Sequence, residues 1–468
     1  MTISPLGATT NTPPCDCSDG RKRWRIGTLT YTAGGLAVLF GWLLWGDFAW
    51  QMRERSVAPV VTVMLQQYQS SALVISLLLA SLPAALSVII GPVVSYRSDR
   101  HRGPRGRRIP FLLVSTPFAA FSLFLMAATP WLGGHLHAAL GVNSPGESTC
   151  VLLMIGLMWT VFECSAIIGN TLFGALINDV VPKEMIGRFF GLFRACSLLA
   201  GIVFNKTLFA HADEHYAAIF VGLGVLFGLG FTLMCLRVKE GEYPPPPPPD
   251  TSRPPGFVTA CREYFRECCQ HRYFLFIFLA QSLATICFLP INLYSVPYAD
   301  SLGMPRQTFG DAITLTYLIS LGLAYFLGWM ADKFHPLRMG IVALGLYAAV
   351  MVWGGIAASD PEHFKVALIA HGVLSGVFFT TTASLGARLF PNARFAQFNS
   401  AAILVTSLLS VVFPLILGKV LDLGGRHYQQ TFFWGAAIAV VALIGFLVVY
   451  AYWVKLGGLK TYQPPRVE

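Results

Sequence analysis

The stretch GPVVSYRSDRHRGPRGRRIPF, residues 91–111, lies between two apolar segments that are each long enough to cross a lipid bilayer. It contains six Arg, one Asp and one His. Lys and Arg accumulate in the short loops on the cytoplasmic side of membrane proteins. We therefore interpret this stretch as a short cytoplasmic loop that joins two transmembrane helices.

A second basic stretch, GWMADKFHPLR at residues 328–338, also lies between two apolar segments. It fits the pattern Gly-x-x-x-Asp-Arg/Lys with a later Arg, through Gly328, Asp332, Lys333 and Arg338. The same pattern in the first stretch has a longer spacing between its Gly and its Asp. This pattern at the end of the second helix of each half resembles the signature loop of the major facilitator superfamily. The resemblance implies an all-α polytopic membrane protein with twelve transmembrane helices in two pseudo-symmetric halves.

The composition excludes an ordinary soluble enzyme. Of the 468 residues, 55% are hydrophobic and 12% are charged, and the mean hydropathy is +0.60. Long apolar runs recur along the whole chain, which is typical of a polytopic membrane protein. The net charge of +10 comes from bases in short loops, so we expect no nucleic-acid partner. No spacing of nucleophiles, metal ligands or phosphate-binding glycines indicates catalysis or a metal site.

Apolar runs predict six helices in each half. In the first half they cover residues 26–50, 71–95, 109–129, 151–177, 189–209 and 216–236. In the second half they cover residues 273–293, 311–331, 337–358, 364–389, 396–420 and 431–454. With twelve spans and both termini in the cytoplasm, most of the 33 Lys and Arg lie on the cytoplasmic side.

The same pattern predicts the domain organisation. Residues 1–25 form a cytoplasmic tail, 26–238 the first six-helix half, 239–272 a cytoplasmic linker, 273–455 the second half and 456–468 a second tail. The linker begins with a stiff Pro-rich tract. Residues 257–272 then predict an amphipathic helix on the membrane surface, with a solvated linker helix as the alternative. Residues 130–150 are predicted to be an outer loop.

Charged residues inside predicted spans are the first functional candidates. Glu163 lies near the middle of the fourth predicted helix, where a charge costs on the order of 3 kcal/mol to insert. We interpret it as the proton carrier, and a hydrogen-bonded structural Glu is the alternative. Arg194, one turn into the fifth predicted helix, either reaches the cavity or extends to the membrane surface. Asp47 is expected at the outer end of the first helix and is the next candidate for coupling.

Polar and aromatic residues complete the predicted substrate cavity. Polar side chains recur in the fourth, fifth and seventh predicted helices, and two Trp side chains of the first could stack on a sugar ring. With Arg194 and Asp47, these cavity candidates are Asn170, Asn205, Gln281, Asn292, Trp42 and Trp45.

A narrower resemblance rests on three stretches. Residues 98–111, SDRHRGPRGRRIPF, are similar to the SD(R/K)-x5-GRR-x-PF loop of sucrose transporters and of the wider glycoside-pentoside-hexuronide cation symporters. The sequence FGWLL at residues 40–44 is similar to the FGWAL of sucrose transporters. Glu163 and Asp179, the latter within ALIND, are spaced like the two carboxylates of the family's fourth helix. The resemblance implies that Glu163 occupies the place of the carboxylate implicated in proton coupling.

Two departures from the family bear on substrate and ion. The family's Arg, five residues before the second carboxylate, is Gly174 here, which leaves sugar recognition by that Arg in doubt. The melibiose-type branch binds sodium through Asp residues of its second helix, and this second helix has none. We therefore expect a proton rather than sodium as the coupling ion, and no other cofactor.

The two basic loops predict a cytoplasmic gate. Asp99 and Asp332 are expected to pair with loop Arg residues and to face a helix N-terminus of the other half, which would hold the inner side shut. The predicted gate residues are Gly91, Asp99, Arg100, Arg107, Arg108, Asp179, Gly328, Asp332, Lys333 and Arg338.

The sequence leaves two classes of function open. The favoured one is a monomeric secondary active transporter that carries a sugar or glycoside with a proton. A transporter of another small polar metabolite is a variant of it. The other is a non-transporting assembly factor, because a pigment-delivery branch of the superfamily has a similar first loop. A polar, charged cavity would favour transport, whereas an apolar groove open to lipid would favour delivery.

Overall fold

The computed structural model describes residues 23–243, 266–391 and 394–465. The described chain is almost entirely helical, apart from a hairpin in which Trp24–Ile26 pairs antiparallel with Leu29–Tyr31. The first half contains α1 (Ala33–Gln67), α2 (Ala72–Arg100), α3 (Ile109–Ala127), α4 (Glu147–Val180), α5 (Ile186–Val203) and α6 (Ala212–Arg237). The second contains α7 (Arg272–Ser301), α8 (Arg306–Phe334), α9 (Pro336–Ala357), α10 (Pro361–Thr382), α11 (Phe395–Leu423) and α12 (Gln430–Lys455).

Eleven described helical runs are long and apolar enough to cross a membrane. One of them, Arg188–Arg237, has 50 residues. At about 1.5 Å per residue it would be far longer than the roughly 30 Å bilayer core needs. It contains α5 and α6, which are separated by the π-turn Phe204–Leu208 and the 3₁₀ turn Phe209–His211. The run therefore supplies two crossings, and the fold has the twelve expected helices.

Local sequence explains where several helices begin. The Thr32 hydroxyl accepts a hydrogen bond from the Gly35 N–H and starts α1, and Asp360 accepts from two N–H groups at the start of α10. Pro336 and Pro361 occupy first-turn positions, where a missing N–H is harmless. Apolar helix faces then pack within each half, α1 against α5 and α6, and α12 against α7 and α9.

Three parts of the predicted helix layout are wrong. Helix α1 begins at residue 33 and continues to residue 67 instead of spanning 26–50, because residues 56–65 bury an apolar face and extend the helix. The predicted loop 130–150 contains a helix at Thr129–Leu140. Helix α7 continues through a break near residue 288 to residue 301 instead of ending at residue 293. The Pro-rich tract and most of the predicted surface helix lie outside the described residues.

The bundle has two ends that differ in charge. The basic end carries the loop 101–108, the α4–α5 turn and the α8–α9 turn at His335. The distal end carries the α1–α2 turn, the α7–α8 turn and the α11–α12 turn.

Candidate functional site: a central cavity and its charge network

A cavity of about 760 Å³ lies between the two halves. Helices α1, α2 and α5 line it from the first half, and α7, α8, α10 and α11 from the second. Its larger polar side chains are Arg55, Arg194, Asn205, Asn292, Tyr317 and His371. The cavity therefore presents hydrogen-bond donors from both halves to whatever occupies it.

Arg55 of α1 connects the halves. Its Nη1 donates to the Tyr317 hydroxyl of α8 at 3.3 Å, and its Nη2 donates to the Ser197 hydroxyl of α5 at 2.9 Å. The guanidinium carbon lies 5.2 Å from the centre of the Tyr317 ring. Its Nε is buried and donates to no group that the structure describes. Arg55 is thus held on two sides, with one donor unused.

A chain of hydrogen bonds leads from Arg55 to a buried carboxyl group. The Ser197 hydroxyl donates to Gln51 Oε1 at 2.9 Å, and Gln51 Nε2 donates to Asp47 Oδ1 at 3.1 Å. Asp47 is fully buried. The expectation that Asp47 lies at an outer helix end, near water, is wrong because α1 continues to residue 67. Asp47 lies behind the cavity wall and is coupled to it through Gln51 and Ser197.

Arg194 lines the same cavity from α5. It interacts electrostatically with Arg55 and with Tyr317. It forms no ion pair with a carboxylate of the described residues. The sequence left open whether Arg194 reaches the cavity or the membrane surface, and the structure places it in the cavity wall.

Glu163 belongs to a second charge group beside the cavity. It interacts electrostatically with Arg53 and Glu54 of α1. Arg53 is fully buried, its Nη2 lies 2.8 Å from Glu54 Oε2, and its guanidinium carbon is 3.9 Å from the centre of the Trp50 ring. Buried charges persist when they are paired, and aromatic faces add to the stabilisation of a guanidinium. Glu163 is not among the described residues that line the cavity, but it interacts electrostatically with the cation that α1 buries.

The second half contributes a neutral polar network. His371 of α10 is buried between the Tyr347 hydroxyl, 2.9 Å from its Nδ1, and Asn292 Oδ1, 3.0 Å from its Nε2. Asn292 and His371 both line the cavity. Their side chains are therefore fixed in orientation before any solute binds.

The structure brings only part of the predicted substrate site together. Asn205 and Asn292 line the cavity, and Gln281 lines an adjoining cavity of about 450 Å³ closer to the basic end. The other candidates lie elsewhere. Asn170 is exposed, and the Trp42 ring lies 5.2 Å from the Arg237 guanidinium carbon at the basic end.

Trp45 was also predicted to line the substrate cavity, and it lies elsewhere. Its indole is 43% exposed, and its Nε1 lies close to Gly230 of α6. Neither Trp42 nor Trp45 is among the described residues that line the cavity, because α1 contributes residues further along the helix, which are Arg55, Ala58, Pro59 and Thr62.

The first predicted gate loop forms a compact ion-pair cluster. Arg107 makes two hydrogen bonds to the Asp179 carboxylate, at 2.6 and 3.0 Å. Arg108 lies 2.5 Å from Asp99 and 3.3 Å from Asp179, and it also donates to the Ser98 hydroxyl. The hydrogen bond from Arg107 to Asp179 is the main reason that the pKa of Arg107 is raised. All these residues belong to the first half.

Glu240 organises this loop, and no sequence pattern pointed to it. Its carboxylate accepts hydrogen bonds from the N–H groups of Arg107, Arg108 and Ile109 at 2.7–2.9 Å, at the start of α3. A carboxylate at a helix N-terminus is stabilising. Gly106 has φ +95°, and a Cβ there would lie 2.5 Å from Glu240, so the loop requires glycine.

The remaining gate residues make contacts within their own half. Arg100 lies over the Tyr96 ring, and Lys333 lies over the Trp329 ring. Arg338 lies near the rings of Tyr450 and Trp453. Gly91 and Gly328 have open space beside their backbones. A Cβ added at Gly91 would lie 4.0 Å from the nearest atom, and a Cβ added at Gly328 would have no atom within 4 Å. The side chain of Asp332 lies outside the described part.

The described hydrogen bonds between the halves lie at the distal end or at mid-depth, not at the predicted gate. The Asp422 carboxylate of α11 accepts from the N–H groups of Ala72 and Leu73 at 2.9 Å each. The Tyr294 hydroxyl of α7 donates to the Ala72 carbonyl at 2.8 Å. We call Ala72, Leu73, Tyr294 and Asp422 the distal seal.

Further contacts surround the distal seal. Arg306 of α8 makes hydrogen bonds to Asp213 of α6 at 3.0 and 3.2 Å, and it also pairs with Asp300. Lys206 lies 2.7 Å from Asp311 across the same boundary. Asp99 pairs with the loop bases Arg107 and Arg108 as expected. The expected approach of Asp99 to a helix N-terminus of the second half is not among its described contacts.

Comparisons with known proteins agree with this architecture. The sequence profile of the family described as MFS/sugar transport protein matches residues 60–418. The chain belongs to this family. A member of the MFS/sugar transport protein family is a membrane transporter and not an enzyme. A search of curated protein sequences gave no match.

Several solved structures have the same fold as this family member. A point mutant of the nucleoside transporter NupG has a TM-score of 0.62 at 12% identity, covering 88% of this chain and 100% of its own. A bacterial homologue of the iron transporter ferroportin, in an inward-facing state, has a TM-score of 0.61 at 14% identity. The match covers 88% of this chain and 99% of the homologue. A bacterial homologue of the human lysosomal transporter Spinster, inward-facing and unoccupied, has a TM-score of 0.58 at 12% identity. The match covers 92% of this chain and 98% of the homologue. At these identities the likeness concerns the fold alone.

Proposed function

We propose that this transporter is a proton-coupled symporter of a sugar or glycoside that works by alternating access. The observation that carries the proposal is the central cavity, which both halves line with polar side chains and which lies beside the buried Asp47 of α1 and the half-buried Glu163 of α4. The family description supports a sugar as solute. A polar cavity of this size suits a hydrophilic solute and argues against an apolar cargo of the pigment-delivery kind.

The basic end is the cytoplasmic side in this proposal, because loops rich in Lys and Arg stay in the cytoplasm. The distal seal then closes the outer side. The central cavity and the adjoining cavity nearer the basic end share Phe379 and Ser410, so the space continues inward. The proposal therefore assigns this arrangement to an inward-facing state, and the outward-facing state requires the distal seal to open.

Glu163 takes up the coupling proton in this scheme. When it is ionised, it attracts the buried Arg53, which also pairs with Glu54. When Glu163 is protonated, Glu54 is the one of these two carboxylates that still carries a negative charge near Arg53. The electrostatic field that α4 exerts on α1 therefore changes. Because α1 carries Arg55, which bonds to Tyr317 of the other half, a change in α1 can reach the boundary between the halves. Asp47 is the second candidate for the proton.

Transport assays in proteoliposomes test the proposal. Purified protein is reconstituted, and uptake of a panel of radiolabelled sugars is measured with and without an inward proton gradient. We expect at least one sugar to accumulate above its external concentration when the gradient is present and to equilibrate when it is not. Accumulation that follows a sodium gradient instead, or uptake that ignores both gradients, would contradict proton coupling.

A further inference from the structure

A groove of about 530 Å³ lies on the outside of the first half, at the basic end, between α2 and α3. Both helices pack against α4, and Ser165 and Ile168 of α4 form the floor of the groove. The groove shares no lining residue with the central cavity or with the adjoining cavity. It is therefore separate from the path proposed for the solute.

The walls of the groove are apolar below its rim. Val93 of α2 and Val114 and Phe118 of α3 line it, and each of these side chains is at least 50% exposed. The two serines that line it donate their hydroxyl hydrogens to carbonyl groups of their own helices, so these hydrogens are not available to a ligand. Walls of this kind suit a hydrocarbon chain.

The groove is long enough to hold most of one acyl chain. Pro110 and Phe118 both line it, and eight residues of helix at about 1.5 Å each place them about 12 Å apart along the axis. One leaflet of the hydrocarbon core is about 15 Å deep. An acyl chain in the groove would therefore contact protein through most of the depth of its leaflet.

Two basic side chains form the rim of the groove. Arg97 lies in the last turn of α2, His101 follows that helix, and both line the groove. Residues 93, 97 and 101 are four apart, so they follow one face from the apolar wall to the rim. Arg97 is exposed and forms no ion pair with a carboxylate of the described residues. Its guanidinium group is thus available to a ligand.

The nearest acidic residue in the sequence does not compete for this site. Asp99 pairs with Arg107 and Arg108, at 3.8 and 2.5 Å. No Asp or Glu is among the described residues that line the groove. Guanidinium groups bind phosphate oxygens through paired, charge-assisted hydrogen bonds. A phosphate group at the rim would therefore meet Arg97 without a competing carboxylate in the groove.

The second half has no equivalent rim. When the two basic loops are aligned on their shared Asp, Met330 and Phe334 occupy the places of Arg97 and His101. The pseudo-symmetric fold therefore does not require a basic side chain at these two positions. Their basic character in the first half calls for a ligand of opposite charge.

We propose that this groove binds an anionic phospholipid from the leaflet at the basic end. The phosphate lies at Arg97 and His101, and one acyl chain lies along Val93, Val114 and Phe118. The rim favours an anionic headgroup over a zwitterionic one, because the ammonium group of the latter is repelled by the same arginine. The site does not depend on the solute that is carried, so it stands or falls separately from the proposed transport function.

Photo-crosslinking of the full chain in detergent micelles tests the site. The probe is phosphatidylglycerol with a diazirine in one acyl chain, and labelled peptides are identified by mass spectrometry. We expect labelling of residues 111–118. Unlabelled phosphatidylglycerol should displace the probe at a concentration roughly fivefold lower than phosphatidylcholine with the same chains, because one basic side chain at a membrane surface favours an anionic lipid by about that factor.

The unmodified chain alone can overturn the proposal. Equal displacement by the two lipids would show a non-specific boundary lipid only. Displacement by glycerol 3-phosphate at the same concentration as phosphatidylglycerol would show an anion site without a role for the acyl chain. Labelling confined to other helices would place the lipid elsewhere. Each of these three results contradicts the proposed site and leaves sugar transport standing.

Variants of the rim test the role of Arg97. At a subsaturating probe concentration, Arg97→Gln should lower labelling of residues 111–118 roughly fivefold, and Arg97→Lys should retain most of it. Arg105→Gln is the matched control, since Arg105 is an exposed arginine of the neighbouring loop that does not line the groove. Unchanged labelling of Arg97→Gln would overturn the proposal. An equal loss in Arg97→Gln and Arg105→Gln would also overturn it, because it would show general attraction to a basic surface.

Discussion

The Tyr317 hydroxyl of α8 lies 3.3 Å from Nη1 of Arg55 in α1, and this hydrogen bond joins the two halves within the central cavity. The other end of the guanidinium group is bonded to Ser197, which continues through Gln51 to Asp47. A movement of the halves that separates α1 from α8 must break the bond to Tyr317. Arg55 is therefore placed to link the buried Asp47 of the first half to the position of the second half.

The first prediction concerns Tyr317. Tyr317→Phe removes the acceptor and keeps the ring, so it should weaken the contact between α1 and α8 by about 1.5–3 kcal/mol, the usual range for a hydrogen bond to a charged group. We expect slower transport and an altered ratio of the two states, measured by uptake and by spin-label distances across the bundle. Tyr325→Phe is the control, because Tyr325 is 91% exposed on the same helix. Equal behaviour of the two variants would contradict the role of Arg55.

The second prediction concerns the distal seal. Asp422 accepts from two N–H groups at the start of α2, so Asp422→Ala should cost the sealed state about 1 kcal/mol. The ratio of sealed to open protein should fall roughly fivefold. Labelling of single cysteines in the cavity from the distal side would report this shift as a faster reaction.

Asp360→Ala is the matched control for the seal. Asp360 also caps a helix near the distal end, but its partners Glu362 and His363 lie in the same half. It should lower thermal stability without speeding distal labelling. If both variants accelerate labelling equally, the change reflects general loosening and the distal seal has no special role.

The third prediction concerns the loop at the basic end. Gly106→Ala places a Cβ against Glu240 at a φ of +95°, so it should destabilise the loop by about 1–3 kcal/mol. The midpoint of thermal unfolding in detergent should fall. Gly103→Ala should be much milder, since its added Cβ meets the end of the His101 side chain, which can move. A Gly106→Ala variant as stable as Gly103→Ala would show that Glu240 does not fix this loop.

The fourth prediction is a pH dependence at His335. Its ring is 6% exposed and 4.6 Å from the Trp453 ring, and burial, followed by Arg388 and Arg338, lowers its pKa to about 4. An unfolded His has a pKa of about 6.5. The folded protein therefore has the full contribution of neutral His335 above a pH of about 6.5, loses it progressively as the pH falls below that value, and has lost it below a pH of about 4.

His335→Asn isolates this effect. Asn tolerates the positive φ of +76° and can still accept the Leu337 N–H, but it does not titrate. Between about pH 7 and pH 5, unfolding stability of the unmodified protein should fall by about 2 kcal/mol more than that of the variant. Parallel pH profiles of the two proteins would show that His335 titrates normally.

The sequence predicted the twelve helices well because long apolar runs and basic loops are local properties. It failed at the end of α1, where the three charged residues 53–55 resemble the flank of a span. What keeps them inside the helix is tertiary: the Trp50, Phe162 and Phe227 rings surround the Arg53 guanidinium. No local pattern indicates that packing, so Arg53, Glu54 and Arg55 were missed as site residues.

The residues of the candidate site also fall into those that have a local sequence signal and those that depend on tertiary packing. Glu163 and Arg194 stood out because each is a lone charge in an apolar run, and both lie in the charge network. The mostly apolar stretch VAPVVTVML, residues 57–65, was the available signal that α1 continues, although it contains Pro59 and Thr62. Tyr317 and His371 had weaker signals, as polar residues in spans. The partners of Asp422 and Glu240 depend on how distant segments meet, which one sequence does not reveal.

The most direct test of the account compares net transport with exchange in Glu163→Gln. The neutral side chain of nearly equal shape mimics the protonated state, so labelled solute should still exchange for unlabelled solute across the membrane, because exchange needs no net proton movement. Accumulation driven by a proton gradient should disappear. Glu147→Gln, an exposed Glu at the start of the same helix, should accumulate solute normally. Accumulation by Glu163→Gln against a concentration gradient would contradict the account and place the coupling proton elsewhere, with Asp47 the next residue to test.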